Sequence, residues 1–213
     1  GYRRHSARAL AGNFGLEEIA RLKEYAHDRD VRLYVALNAL VRERELPEVV
    51  TILAGLARLR PDGLIIQDAA VAHLCRRHFP DLDLHASTLM TIHNSAGVEQ
   101  LESMGFGRAV LARELTIDEL AQITANTHMQ LEVFVHGALC FSYSGLCLAS
   151  SFYGGRSSLR GRCTQPCRRL YQSGRNRGYF FSTNDLSAID LIPRLKNLRL
   201  AAFKIEGRMK SAS

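Results

Sequence analysis

Residues 31–68 contain three consecutive patterned segments: VRLYVALN (31–38), LPEVVTILAGLARL (46–59) and GLIIQD (63–68). The first is β-branched and aromatic, a composition that suits a strand. The second places Leu46, Val49, Val50, Leu53, Leu56 and Ala57 on one stripe at helical spacing. The third is a short apolar run of the kind buried on both faces of a parallel sheet. Strand, helix and strand in this order predict a right-handed βαβ unit.

The same rhythm runs outward in both directions. A helix-like LEEIARLKEYAH precedes the unit, and AVAHLCRRHF follows it. LDLHAST (82–88), RAVLARE (108–114), LEVFVHGAL (131–139) and AAFKIEG (201–207) complete a set of six expected strands. Asn94 is placed to cap a helix running through Met104, and Thr116 with Glu119 has capping-box spacing. Helical residues return over Asp185–Leu198, with an interruption expected at Pro193. Six strands suit an open doubly wound sheet or an incomplete (β/α)8 barrel. No G-x-G-x-x-G turn follows a strand, so a dinucleotide site is not indicated.

Every expected strand ends in polar groups: Asn38; Gln67 with Asp68; His85 and Ser87; Arg113 and Glu114; His136; then Lys204, Glu206 and Arg208. Carboxyl ends of parallel strands converge on one face, where ligands bind. Together these residues predict a polar substrate pocket. A single one of them would read as an ordinary hydrogen-bonded loop residue.

Residues 140–182 break the rhythm, being rich in Ser, Gly, Arg and Tyr, and are expected to form a long excursion over that pocket. The net charge of +7 has its source here. Between Ser151 and Asn184 stand seven arginines and no lysine or acid, while the other residues hold 21 bases and 21 acids. Arginine favours planar recognition of phosphate or carboxylate. Arg156, Arg160, Arg162, Arg168 and Arg169 are therefore candidates for anion or RNA contact. The bland alternatives are a solvated basic loop, or a counter-charge to a thiolate-bound metal.

The excursion also carries Cys140, Cys147, Cys163 and Cys167, in the spacing C-x6-C-x15-C-x3-C. No signal peptide or apolar run of roughly 18 to 20 residues is present, so neither export nor membrane insertion is expected, and cytoplasm is the default compartment. Disulfides are disfavoured there, and metal or redox chemistry is the expectation. Spacing alone leaves zinc and an iron–sulfur cluster open. A cysteine nucleophile with His136 as base needs proximity that sequence does not show. Cys75 lies in a mainly apolar helical pattern and reads as an inert buried thiol. There is no G-x-S-x-G elbow and no H-E-x-x-H, and no catalytic residue is assigned.

EVFVHGALCFSYSGLCLAS, GGRSSLRGRCTQPCR, STNDL and FKIEGRMKS closely resemble the peptidase U32 (collagenase-like) family. YVALN, LIIQD, LHASTLMTIHNSA and RAVLARELT are similar to it in the same order, so the resemblance spans essentially the whole chain. It implies a TIM-type barrel, here a single domain over 1–213 lacking the first two strands, with the 140–182 excursion inside it. The chain opens at Gly1 rather than Met, and an open barrel edge is expected. The resemblance implies a 4Fe–4S cluster on Cys140, Cys147, Cys163 and Cys167, with zinc as runner-up. It also implies oxygen-independent hydroxylation of transfer or ribosomal RNA with prephenate as hydroxyl source. The alternatives are a peptidase, as the family name states, or a non-catalytic iron–sulfur subunit working with a sister subunit in ubiquinone synthesis. One departure is Leu146, which stands where arginine is common in the family.

Overall fold

The computed structural model describes residues 1–207. Its main sheet takes β1 (Tyr34–Leu37), β2 (Gly63–Ile66), β3 (Leu84–Ala86), β4 (Arg108–Val110) and β5 (Gln130–Ala138) in that order, all parallel. The six strands expected from sequence are these five and β9 (Ala202–Ile205), which runs parallel to β5 on its far side. Between the strands lie α1 (Leu16–His27), α2 (Leu46–Leu59), α3 (Ala69–His78), α4 (Ser95–Ser103) and α5 (Ile117–Ala125). The result is a mixed α/β fold whose sheet curls into a half-barrel.

Helix boundaries follow local chemistry. Asp68 accepts the Ala70 N–H at 2.9 Å to start α3, and Asn94 accepts the Gly97 N–H at 2.8 Å to start α4. At α5, Thr116 Oγ1 accepts from the Glu119 N–H while Glu119 accepts from the Thr116 N–H, a reciprocal box worth about 1 kcal/mol. Beneath the helices, Leu37, Leu53, Leu56, Leu64, Ile66, Leu84, Leu101 and Leu131 are fully buried. Truncating any of the leucines to alanine would cost about 2–5 kcal/mol.

Two segments differ from the sequence expectation. Asp185–Ser187 is not helical: it is strand β8, antiparallel to the end of β5 through His136↔Ser187 and Ala138↔Asp185. The helix that follows, α7 (Ile192–Lys196), carries Pro193 in its first turn rather than breaking there, because the N–H groups of the first turn have no partner within the helix. The excursion is also less irregular than its composition suggests. It holds the short helix α6 (Ala149–Phe152) and a hairpin of β6 (Tyr171–Ser173) with β7 (Asn176–Gly178).

The outer edge of β1 is not left bare. Tyr2 donates its N–H to the Ala36 carbonyl at 3.0 Å, and Ala39 donates to the His5 carbonyl at 2.9 Å. Residues 1–6 thus lie along that edge, and Asn38 fastens them by accepting the Ala7 N–H at 3.0 Å. No helix among the described residues is long and apolar enough to cross a membrane.

Candidate functional site

Two cavities meet over the carboxyl ends of the strands. The inner one, about 220 Å³, is lined by Asn38, Ser87, Arg113, Phe134, Lys204 and Glu206, together with Arg8. The outer one, about 770 Å³, is lined by all four excursion cysteines, Cys140, Cys147, Cys163 and Cys167. Arg8 and Arg113 border both, so the two spaces share a cationic boundary.

Arg113 is the central group of that boundary. It donates to the Ala138 carbonyl at 2.7 Å, lies 4.0 Å over the Phe134 ring, and its buried Nε has no hydrogen-bond partner. Burial first, and the nearby Arg8 second, make its charge costlier than in water, with Glu206, Cys140 and Glu114 opposing them. Arg8 faces Glu206 at 3.4 Å, and Lys204 binds Glu132 at 2.7 Å. Three cations around so small a space suit a carboxylate or phosphate group.

The cysteines are free thiols, each partly exposed. Cys147 Sγ accepts the Ala149 N–H and Cys163 Sγ accepts the Gln165 N–H, both at 3.4 Å. Ser150 Oγ lies 3.7 Å from Cys163 Sγ. Burial, followed by the neighbouring Cys140 and Cys163, pushes the Cys167 thiol above its ordinary range. Four thiols around one cavity, with amides already directed at two of the sulfurs, are a donor set that a bound cationic centre would suit. The set fits an iron–sulfur cluster in chemistry and number. Among the described residues no three His, Cys, Asp or Glu side chains converge tightly enough to hold one metal ion. Cys75 is fully buried on α3, and burial pushes its thiol up to about 12, an inert state.

Three anchors hold the cysteine loops over the sheet. Glu114, just beyond β4, accepts both the N–H and the hydroxyl of Ser144, the latter at 2.7 Å. Ser144 sits at φ +35, a left-handed conformation that this grip stabilises. Burial alone would raise the Glu114 carboxyl, but the two Ser144 donors bring it below its ordinary value. Gly161, at φ +73, provides the second anchor. Its carbonyl accepts the Ala9 N–H at 3.0 Å, and a Cβ there would overlap the Ser6 carbonyl oxygen.

The third anchor is Arg160, which forks onto Glu45 at 2.6 and 2.8 Å. Arg160 first, then Arg42, hold the Glu45 carboxyl well below the usual carboxylate range, against the opposing effect of burial. A depressed carboxyl contributes stability above its unfolded value, about 4.3, and loses it as pH falls toward the folded value. Proteolysis within 140–182 should therefore accelerate below about pH 4. In Glu45→Gln it should already be faster at pH 7, with a weaker response to acid. An equal acid response in both proteins would assign the effect elsewhere.

Several candidates lie outside the two cavities. His85 is at the opposite end of the sheet: its Nε2 meets Asp83 at 3.1 Å, its ring is 4.9 Å from Tyr34, and burial holds its pKa down. Its strand is only three residues long, so the strand-end rule picks a residue too early. Gln67 is buried and donates to the Leu159 carbonyl at 3.4 Å, tying the excursion down. His136 is exposed and lines neither cavity, because a bulge between Phe134 and His136 disturbs the in-and-out alternation of β5. Leu146 is half-exposed. Arg208 lies outside the described residues. Among the arginines, Arg160 is committed to Glu45, and Arg168 to Asp185 at 2.8 Å and the Asn184 carbonyl. Arg156, Arg162 and Arg169 are exposed and make no ion pair among the described residues. Arg8 and Ser144 have no sequence signal, since neither sits in a periodic segment.

A half-barrel of parallel strands roofed by a four-cysteine loop defines a recognisable class of protein. The full span, residues 1–213, matches the family model described as Peptidase family U32. The chain belongs to peptidase family U32. It is 33% identical to tRNA hydroxylation protein P1 of Bacillus subtilis (strain 168), covering 99% of this chain and 53% of that protein. It is 35% identical to the 23S rRNA 5-hydroxycytidine C2501 synthase of Escherichia coli (strain K12), covering 97% of this chain and 32% of that protein. The chain thus spans about half or less of these relatives' length. Its fold is similar to the solved structure of the U32 peptidase Mk0906, with a TM-score of 0.62 at 16% identity, covering 95% of this chain and 81% of that one.

Proposed function

We propose that this chain is the cluster-binding and substrate-binding part of an enzyme that hydroxylates an RNA base without molecular oxygen. The observation that carries the reading is the single cavity lined by Cys140, Cys147, Cys163 and Cys167 and bordered by Arg113 and Arg8. In this reading the four cysteines hold a 4Fe–4S cluster. Four thiolates around one zinc, each at about 2.3 Å, would stand only about 3.8 Å apart. A cluster gives each thiolate its own iron, which agrees with four sulfurs that share a cavity without forming a tight shell. When bound, the cluster supplies one-electron chemistry or Lewis acidity beside the substrate.

The chain's own residues orient the small reactant. A dicarboxylate hydroxyl source such as prephenate would place one carboxylate against the Arg113 guanidinium, with Arg8 and Lys204 alongside. Asn38 and Ser87, already joined by a 3.0 Å hydrogen bond, offer neutral contacts at the inner end. Names of relatives support the RNA substrate. The peptidase alternative lacks a Ser–His or Cys–His pair: among the described residues no serine or cysteine side chain is bonded to a histidine, and Ser144 instead donates to the Glu114 carboxylate that holds its loop in place.

Nucleoside mass spectrometry of total RNA from a strain lacking the gene tests the reading. A hydroxylated nucleoside should disappear, return with the wild-type gene, and stay absent with Arg113→Ala. An unchanged profile in the deletion strain would overturn it.

A further inference from the structure

The excursion concentrates the exposed aromatic surface of the protein. Phe141, Phe152, Tyr153, Tyr179 and Phe180 are between 56% and 80% exposed, an unusual density for large rings. These rings are accompanied by unpaired cations. Arg156, Arg162, Arg169, Arg175 and Arg177 are all exposed, with no ion pair among the described residues and no acid between Ser151 and Asn184. Part of the surface rims the cysteine cavity: Tyr153, Phe141, Tyr171, Phe181 and Arg169 all line it. Phe181 locks edge-to-face with Phe141 at 5.4 Å and with Tyr171 at 5.1 Å, so this side of the rim is a preset aromatic wall. On the other side, Tyr153 follows α6 in a turn pinned by the Gly155 N–H to the Ser151 carbonyl and the Arg156 N–H to the Ser150 carbonyl, both 3.0 Å.

We propose that this rim is a stacking platform for one or more unpaired nucleotides of single-stranded RNA, with Tyr153 and Phe141 as ring faces and the exposed arginines as phosphate contacts. The inference rests on the RNA reading above and adds where, and in what conformation, the RNA is held. Each part of the surface answers one part of such a ligand. Flat rings accept any base by its π-face, and guanidinium groups pair with phosphate oxygens. A cavity between rings suits a splayed base, whereas bases in a duplex are stacked and inaccessible. An anionic bilayer would also meet arginine and aromatic side chains, but it presents a broad face and would not use a concave rim.

Fluorescence anisotropy with the full-length protein and labelled oligoribonucleotides, single-stranded and as a matched duplex, tests this across a salt series. The single strand should bind more tightly than the duplex. Tyr153→Ala should weaken single-strand binding roughly 10-fold without changing the salt slope, and Tyr153→Trp should restore it. Arg175→Ala combined with Arg177→Ala should lower the salt slope by about 1.4, as expected for two lost phosphate contacts on a single strand. Equal binding of duplex and single strand, or no effect of Tyr153→Ala together with Phe141→Ala, would overturn the platform. So would binding only to phosphatidylglycerol vesicles or to another protein. The two proposals fail separately. Loss of the hydroxynucleoside on gene deletion with intact RNA binding by these variants refutes the platform alone. A working platform with an unchanged nucleoside profile refutes the reaction alone.

Discussion

Full-length protein purified without oxygen should carry iron and acid-labile sulfide with visible charge-transfer absorption, and Cys163→Ala should lose nearly all of both. Cys163 is the most informative of the four thiols because its sulfur accepts the Gln165 N–H and neighbours the Ser150 hydroxyl. Losing a partner that only supports a metal ligand typically costs 10–100-fold in affinity, so losing the ligand itself should cost more. Ser150→Ala gives the graded comparison: the cluster should assemble but bleach roughly 10-fold faster in chelator, since Ser150 also fixes the Thr164 N–H at 3.0 Å. Cys75→Ala should leave iron unchanged, because that thiol is buried on α3. One zinc per chain with no iron would sink the cluster reading, as would full iron retention in Cys163→Ala.

The second large effect concerns stability. Glu132 is buried on β5 between Arg108, at 3.3 Å, and Lys204, at 2.7 Å. Glu132→Ala should destabilise the fold by about 3–5 kcal/mol, because it leaves buried or half-buried cations without their counter-charge. Arg108 would keep its two bonds to Gln130 Oε1, at 2.7 and 3.1 Å, and Lys204 only the Phe134 ring 5.6 Å away. Glu132→Gln keeps the shape and one acceptor, and should cost about half as much. Urea unfolding of the three proteins measures this. A cost under about 1 kcal/mol for the alanine variant would show that solvent reaches the inner face freely enough to hydrate both cations.

The parallel sheet was legible because its signals are local. Short β-branched runs alternating with amphipathic helices announce βαβ units, and Asn94 and Thr116 cap where their side chains can reach. What sequence could not show depends on residues far apart in the chain. Asp185–Ser187 is too polar to suggest a strand, and becomes one only because β5 outruns β4 and leaves a free edge. The pocket is half-legible for a similar reason. Asn38, Ser87, Arg113, Lys204 and Glu206 follow from the strand-end rule, whereas Arg8 arrives from an irregular segment and His85 points to the other end. Of the seven arginines in one stretch, composition marks Arg156, Arg160, Arg162, Arg168 and Arg169 alike as candidates for anion contact. Arg160 and Arg168 instead hold the excursion in place, a division that no composition reveals.

The three anchors of the cysteine loops also say something about timing. Arg160 meets Glu45 across 115 residues of chain and the Leu40 carbonyl across 120, while Gly161 meets Ala9. Contacts this remote pay a large loop-closure entropy and form late, after the local βαβ units have docked. During synthesis, β1–β5 emerge before Cys163 and Cys167, whereas β8 and β9 follow them. The thiols meet only when the sheet is already a surface to fold onto. For the proposed cluster, insertion would then be a late maturation step, and a chain stalled before it would hold an ordered sheet beneath an unfastened, oxidisable flap.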